Sequence, residues 1–244
     1  MGLEYARQLA GKGYDLILVS NREDELAAAS KDLSEAFTVK IVTHYQDLAL
    51  PDAADSLFDW CVNDLKILPD ILVNNAGMFF FKELEVADLG RVQAMLNLHM
   101  VTVTRSCLLF GEAMKKRGSG RILIMSSMAA RIPAPGITVY SATKAYLKSF
   151  GRSLSYELKP YGVSVTTVCP AAIATPLYRL DEKKMALGVR LGLIHTPRSL
   201  VRRSLRAMFR GRRVICPSLM NIWLPAIIAL LPGPLIAAIW KKLK

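Results

Sequence analysis

The sequence predicts one doubly wound α/β domain, in which helices cover both faces of a parallel sheet. Short apolar segments of strand length alternate with longer segments of helical periodicity along most of the chain. The 244 residues, of which 52% are hydrophobic, suffice to bury the core of one such domain. Ligands bind such sheets at the carboxyl ends of the strands, so the loops after strands should carry the functional residues.

The order of elements follows from apolar patterning and from proline and glycine breaks. Strands are predicted at residues 14–19, 39–43, 70–73, 121–125, 163–168 and 214–216. Helices are predicted at residues 3–10, 23–37, 51–68, 85–96, 98–117, 140–159 and 198–210. We assign the α/β domain to residues 1–217 and an apolar tail to residues 218–244.

The positive charge is concentrated in the last quarter of the chain. The formal net charge is +12, and 13 of the 32 basic residues but no acidic residue follow Glu182. Nucleic acid is not the expected partner, because the arginines lack interleaved aromatic residues apart from Phe209. Two interpretations of residues 198–244 stay open. One is peripheral membrane contact through an apolar hairpin flanked by cations, and the other is a pair of short helices at an oligomer contact or the substrate pocket.

The cysteines and histidines predict neither a disulfide framework nor a metal site. None of the four cysteines belongs to a Cys-x-x-Cys pair, and His44, His99 and His195 lack ligand spacing. We interpret the cysteines as reduced thiols of a cytoplasmic protein, with attachment to the cytoplasmic face of a membrane as the alternative.

A tyrosine and a lysine four residues apart suggest acid–base chemistry. Tyr140 and Lys144 share one helix face, where the ammonium group should favour the phenolate and lower the pKa of the tyrosine. Such a tyrosine can exchange a proton with a carbonyl or alcohol oxygen. Ser127 ends a strand 13 residues upstream, and its hydroxyl could hold the same oxygen. Alone, this spacing is also that of an ordinary surface helix pair.

Five stretches in order carry a family resemblance. They are Asn74-Asn75-Ala76-Gly77, Asn97, RILIMSSMAA at 121–130, YSATK at 140–144 and CPAAIATP at 169–176. With these stretches the chain resembles the short-chain dehydrogenase/reductase family over nearly its whole length. Residues 140–165 most resemble its 17β-hydroxysteroid dehydrogenase and 3-ketoacyl-CoA reductase branch.

The resemblance implies a Rossmann-like fold and a set of catalytic roles. Tyr140 would be the acid–base group, Lys144 would lower its pKa and bind the nicotinamide ribose, and Ser127 would orient the substrate carbonyl. Asn97 would support a water-linked proton relay to Lys144, although a helix-packing amide is the alternative. Asp47 would contact the adenine, or would simply cap a helix.

The resemblance also places the cofactor. Asn74 would approach it, and Ala76 and Gly77 would let the backbone come close. Ile173 and Thr175 would contact the nicotinamide end.

Cofactor preference is expected to be set after the strand at 14–19. Arg22 stands where an acidic residue would select NAD(H), and its guanidinium can pair with a 2′-phosphate. We therefore predict NADP(H) over NAD(H).

The glycine-rich turn of the family, Thr-Gly-x-x-x-Gly-x-Gly, is matched only by its last glycine, Gly2. We expect the strands at 14–19 and 70–73 to lack the neighbour that they share in this fold. One explanation is that the protein starts upstream of Met1. The other is a short form that binds cofactor poorly.

The expected function is reversible hydride transfer between NADP(H) and a carbonyl or secondary alcohol of an apolar substrate, steroid-like or fatty-acyl. The alternatives are a binding protein that has lost the chemistry or the cofactor and a membrane-recruited protein on the same fold. The family tendency implies a homo-oligomer.

Overall fold

The structure is a computed structural model, and it describes residues 1–132, 134–171, 173, 195–217, 223–224, 227–228 and 230–243. Its strands are β1 (Leu16–Ser20), β2 (Ile41–Tyr45), β3 (Ile71–Asn74), β4 (Gly120–Met125), β5 (Val163–Val168) and β6 (Val214–Ile215). Its α-helices are α1 (Gly2–Ala10), α2 (Glu23–Ala36), α3 (Ala53–Phe58), α4 (Leu89–Leu96), α5 (Thr102–Arg117), α6 (Thr138–Leu158), α7 (Pro197–Phe209) and α8 (Gly233–Leu243). The predicted α/β fold class is confirmed.

The strand pairs among the described residues are all parallel. β1 pairs with β2, while β3, β4, β5 and β6 form a second ladder in that order. Parallel neighbours require crossover connections, and helices supply them. The carboxyl ends of β3, β4 and β5 therefore lie side by side at one edge of the sheet.

The strands β1 and β3 are not hydrogen-bonded to each other, so the described sheet is divided between them. Four of the five residues of β1 and all of β3 are only half-buried, whereas β4 and β5 are each buried at five of six positions. This confirms that the two strands lack a shared neighbour. We call the space between them the β1–β3 gap.

Both strands nevertheless belong to the same layered core. On one face, Leu16 and Val73 pack in the cluster that joins α1 to α7. On the other face, Ile17 and Leu72 pack with Phe110 of α5. Alternate residues of β1 and β3 therefore enter the same two layers of the core, as residues of strands in one sheet do.

Two predicted helices differ in detail. The helix expected at 51–68 is shorter, and its second half, Asp59–Asp64, is a π-helical turn. The helices expected at 85–96 and 98–117 are joined by another π-helical segment, Asn97–Val101, rather than separated. π-Helical turns depend on tertiary contacts and often lie at functional sites, and apolar periodicity does not reveal them.

The tail contains α8, and Trp223 and Leu230 expose much of their side chains. Among the described helices, none is both long and apolar enough to cross a membrane. The boundary at residue 217 stays a prediction.

Candidate active site

Tyr140 and Lys144 lie in the first turns of α6, at the edge where β3, β4 and β5 end. Lys144 is 5% exposed, and its Nζ donates a hydrogen bond of 3.0 Å to the Met125 carbonyl. The same Nζ lies 5.6 Å from the centroid of the Tyr140 ring. Burial lowers the pKa of the lysine to about 8, so its charge state is sensitive to mildly alkaline pH. The structure thus brings the predicted pair together.

The two serines after β4 tie the strand to α6. Ser126 Oγ donates to the Lys144 carbonyl at 2.7 Å, which fixes the helix turn against the strand end. Ser127 is 8% exposed, and its Oγ accepts the Ala129 N–H at 3.1 Å. That bond leaves the hydroxyl hydrogen of Ser127 available to donate to a substrate oxygen.

Residues 75–78, here called the β3 loop, approach α6 and His99 closely. A β-carbon on Gly77 would lie 3.1 Å from His99 Nε2 and 3.7 Å from Lys144 Nζ. Ala76 and Gly77 are exposed, whereas Asn74 is half-buried and donates its amide to Cys107 Sγ at 3.4 Å. A side chain at position 77 would therefore crowd His99 and contact the Lys144 ammonium.

Asn97 and Asp47 have contacts that match the structural alternatives. The Asn97 amide donates to the Ala49 carbonyl at 3.0 Å and accepts from Gln93 at 2.9 Å. Asp47 Oδ1 accepts the Ala49 N–H at 2.9 Å, as a turn-capping carboxylate does. The relay and adenine roles of these two residues stay predictions.

The remaining predicted residues lie at the ends of other elements. Arg22 precedes α2 with its side chain 69% exposed and 3.3 Å from Glu25. Gly2 begins α1, and a β-carbon at this position would lie 3.1 Å from the side-chain nitrogen Nδ2 of Asn75. Ile173 forms an isolated parallel bridge with His195, and Thr175 lies outside the described residues.

The comparisons with known proteins agree with this geometry. The profile of the family described as short chain dehydrogenase matches residues 1–186. The chain belongs to this family. It is 33% identical to the very-long-chain 3-oxoacyl-CoA reductase of Mus musculus and 34% identical to that of Homo sapiens, over 75% of this chain and 59% of each relative. It therefore spans about three fifths of the length of these curated relatives.

Solved short-chain dehydrogenases have the same fold. The enzyme from Sphingobium yanoikuyae in complex with NADPH superposes with a TM-score of 0.77, at 24% identity, covering 95% of this chain and 93% of that one. A short chain dehydrogenase/reductase family protein gives a TM-score of 0.73 at 27% identity, covering 88% and 89%.

The site fits a nicotinamide cofactor at its ribose end. The exposed backbone at Gly77 lies close to the buried Lys144 ammonium, and a β-carbon at position 77 would come within 3.7 Å of it. Gly2 and the N-terminus of α1, which would hold the pyrophosphate, face the β3 loop through the Asn75 side chain. For metal ions, the described residues contain no group of three or more His, Cys, Asp or Glu that could hold one.

One buried side chain beside the site did not emerge from the sequence as functional. His99 is 0% exposed, and its Nε2 accepts the Met78 N–H at 3.1 Å. The only signal in the sequence is its position two residues after Asn97.

Proposed function

We propose that this short-chain dehydrogenase transfers hydride between NADP(H) and a carbonyl or secondary alcohol of an apolar substrate. The observation that carries the proposal is the buried Lys144 ammonium beside the Tyr140 ring, at the edge where three strands end. A buried cation beside a half-exposed phenol suits proton transfer to a bound oxygen.

Each residue has a distinct task in reduction. A bound nicotinamide supplies the hydride that the substrate carbon receives. The Ser127 hydroxyl donates a hydrogen bond to the substrate oxygen, and Tyr140 delivers the proton to it. Lys144, held by the Met125 carbonyl, stabilises the phenolate that Tyr140 leaves behind.

An apolar substrate is supported by the surroundings of Tyr140. The Phe79 ring meets the Tyr140 ring edge-on, with centroids 4.9 Å apart. Farther along the same connection, Phe81, Leu84 and Val86 expose 51%, 40% and 83% of their surface. Curated relatives are named very-long-chain 3-oxoacyl-CoA reductases, which favours a fatty-acyl over a steroid-like substrate.

The test is an assay of NADPH oxidation with a panel that contains 3-oxoacyl-CoA thioesters, ketosteroids and small polar ketones. We expect the highest kcat/KM with the long-chain thioesters. Turnover limited to polar ketones would contradict the substrate class, and NADPH binding without any turnover would favour a binding protein.

The NADP(H) preference is expected to depend on Arg22. An exposed guanidinium can form charge-assisted hydrogen bonds with a 2′-phosphate, each stabilising by about 1.5–3 kcal/mol. Arg22→Ala should therefore weaken NADPH binding by about tenfold or more and change NADH binding little. Calorimetric titration measures both affinities.

Lys31→Ala is the matched control, because it removes an exposed cation from α2, the helix that Arg22 precedes. Equal losses of NADPH affinity in the two variants would show that Arg22 acts only through general surface charge.

A second candidate role, recruitment to a membrane, is favoured by α7. Arg198, Arg202 and Arg206 recur every four residues on its exposed side, and we call them the arginine face. No ion pair joins them to an acidic residue in the part of the chain that the structure describes. We infer that the arginine face contacts anionic headgroups, which places the protein at the cytoplasmic surface of a membrane. Self-association also stays a prediction.

Co-sedimentation with vesicles tests this contact. Converting the arginine face to glutamine should lower binding to phosphatidylserine-containing vesicles by about tenfold or more, because each basic residue contributes about 1 kcal/mol. Binding should also fall as salt rises.

The control converts three exposed lysines elsewhere, Lys31, Lys40 and Lys66, to glutamine, which is the same change in charge. Equal binding of both triple variants would refute a dedicated membrane surface.

A further inference from the structure

His99 lies in the π-helical segment Asn97–Val101, between the β3 loop and α6. It is completely buried, and both of its ring nitrogens are hydrogen-bonded. Nε2 accepts the Met78 N–H at 3.1 Å, and Nδ1 lies 2.9 Å from Thr143 Oγ1. The imidazole therefore links the loop that follows β3 to the helix that carries Tyr140 and Lys144.

The hydrogen bonds have a single consistent direction. The Met78 N–H can only donate, so Nε2 must accept and carries no hydrogen. The single N–H hydrogen of the neutral imidazole is therefore on Nδ1. Nδ1–H donates to Thr143 Oγ1, and the Thr143 hydroxyl donates to the Tyr140 carbonyl at 2.9 Å. This assignment of the tautomer follows from the network itself.

The imidazole is also close to the catalytic groups. Its ring centroid lies 5.9 Å from that of Tyr140. His99 Nε2 and Lys144 Nζ both lie within 4 Å of the point where a β-carbon on Gly77 would be. Burial, and then the nearby Lys144 charge, lower the pKa of His99 to about 3, so the ring is neutral at physiological pH. A protonated ring would lose its bond from Met78 and add a second cation beside the lysine.

We propose that His99 is a positioning residue, which holds the β3 loop in register with the turn of α6 that presents Tyr140 and Lys144. The inference rests on the proposed hydride transfer, because the β3 loop is the cofactor side of that site. A loop misplaced by about 1 Å can cost a hundredfold in rate while the fold survives.

Two variants break the bridge at different points. His99→Gln can still accept the Met78 N–H but cannot reach Thr143 in the same geometry. Thr143→Val removes the hydroxyl in a side chain of the same shape and leaves His99 in place, and Thr143→Ser restores the hydroxyl. The valine variant keeps the test valid if the glutamine variant does not fold.

We expect kcat to fall by about tenfold or more in His99→Gln and in Thr143→Val, with the NADPH Kd changed less than threefold. Thr143→Ser should recover most of the kcat. Activity is measured well below the melting temperature of each variant, so a purely structural role would leave kcat unchanged. Amide exchange at Met78 should accelerate in Thr143→Val, which reports the loop without any turnover.

The outcomes separate the two proposals. If the wild type turns over a carbonyl substrate and both His99→Gln and Thr143→Val keep its kcat, only the proposed role of His99 is overturned. If the wild type fails to oxidise NADPH with every carbonyl substrate of the panel, the proposed function is overturned, and with it the role of His99.

Discussion

Replacing Tyr140 with phenylalanine is expected to lower kcat by about 10²–10⁴-fold, because the variant lacks the proton that the phenol would deliver. The phenyl ring keeps the shape of the side chain and its edge-on contact with Phe79. The Lys144 ammonium keeps its hydrogen bond to the Met125 carbonyl. NADPH affinity should therefore change less than about threefold, since the change removes only one hydroxyl. Steady-state kinetics and calorimetric titration measure the two quantities.

Tyr146→Phe is the matched control for this prediction. Tyr146 lies in the same helix, and its hydroxyl is 2.7 Å from Thr104 Oγ1 on α5. Its loss should affect stability by about 1 kcal/mol and leave kcat within a factor of two. If both variants lost activity equally, the loss would come from packing of α6, and Tyr140 would not be the acid–base group.

Among the predicted site residues, the structure brings together those whose proximity is determined by local sequence. Tyr140 and Lys144 lie four residues apart in one helix, so their proximity needs only helical geometry. Ser127 follows a strand whose length was readable from its apolar residues. The parallel sheet brings the end of β4 and the start of α6 to the same edge. The family assignment and the fold class were both confirmed.

The role of His99 could not be read from the sequence, because it depends on three separate elements. The ring meets Met78, 21 residues before it, and Thr143, 44 residues after it. Neither spacing belongs to a helix or a strand. The same limit applies to Asn97, whose amide is bonded to a carbonyl 48 residues away.

A parallel strand that fills the β1–β3 gap is expected to raise the stability of the protein substantially. Among the described strands, the edges of β1 and β3 that border the gap each leave backbone groups without a ladder partner. Ile17 and Val73 are both only half-buried there. A parallel strand placed between them would supply hydrogen bonds to both edges and bury apolar surface on both faces.

The experiment adds a segment before Met1 that consists of an apolar six-residue strand and the turn Thr-Gly-x-x-x-Gly. Because Gly2 then completes the glycine pattern, the turn would lead directly into the N-terminus of α1. We expect the melting temperature to rise by about 5–10 °C, which corresponds to a few kcal/mol for a domain of this size. NADPH affinity should rise by tenfold or more, because the turn adds backbone N–H donors for the pyrophosphate.

A control extension of equal length made of glycine and serine should give neither effect, because it has no strand propensity and no apolar side chains to bury. Equal melting temperatures for the two extended proteins would show that the gap does not accept a strand. A gain in stability without a gain in NADPH affinity would separate the two functions of the segment. The sheet would then be completed by the strand, while the phosphates would depend on groups other than the glycine turn.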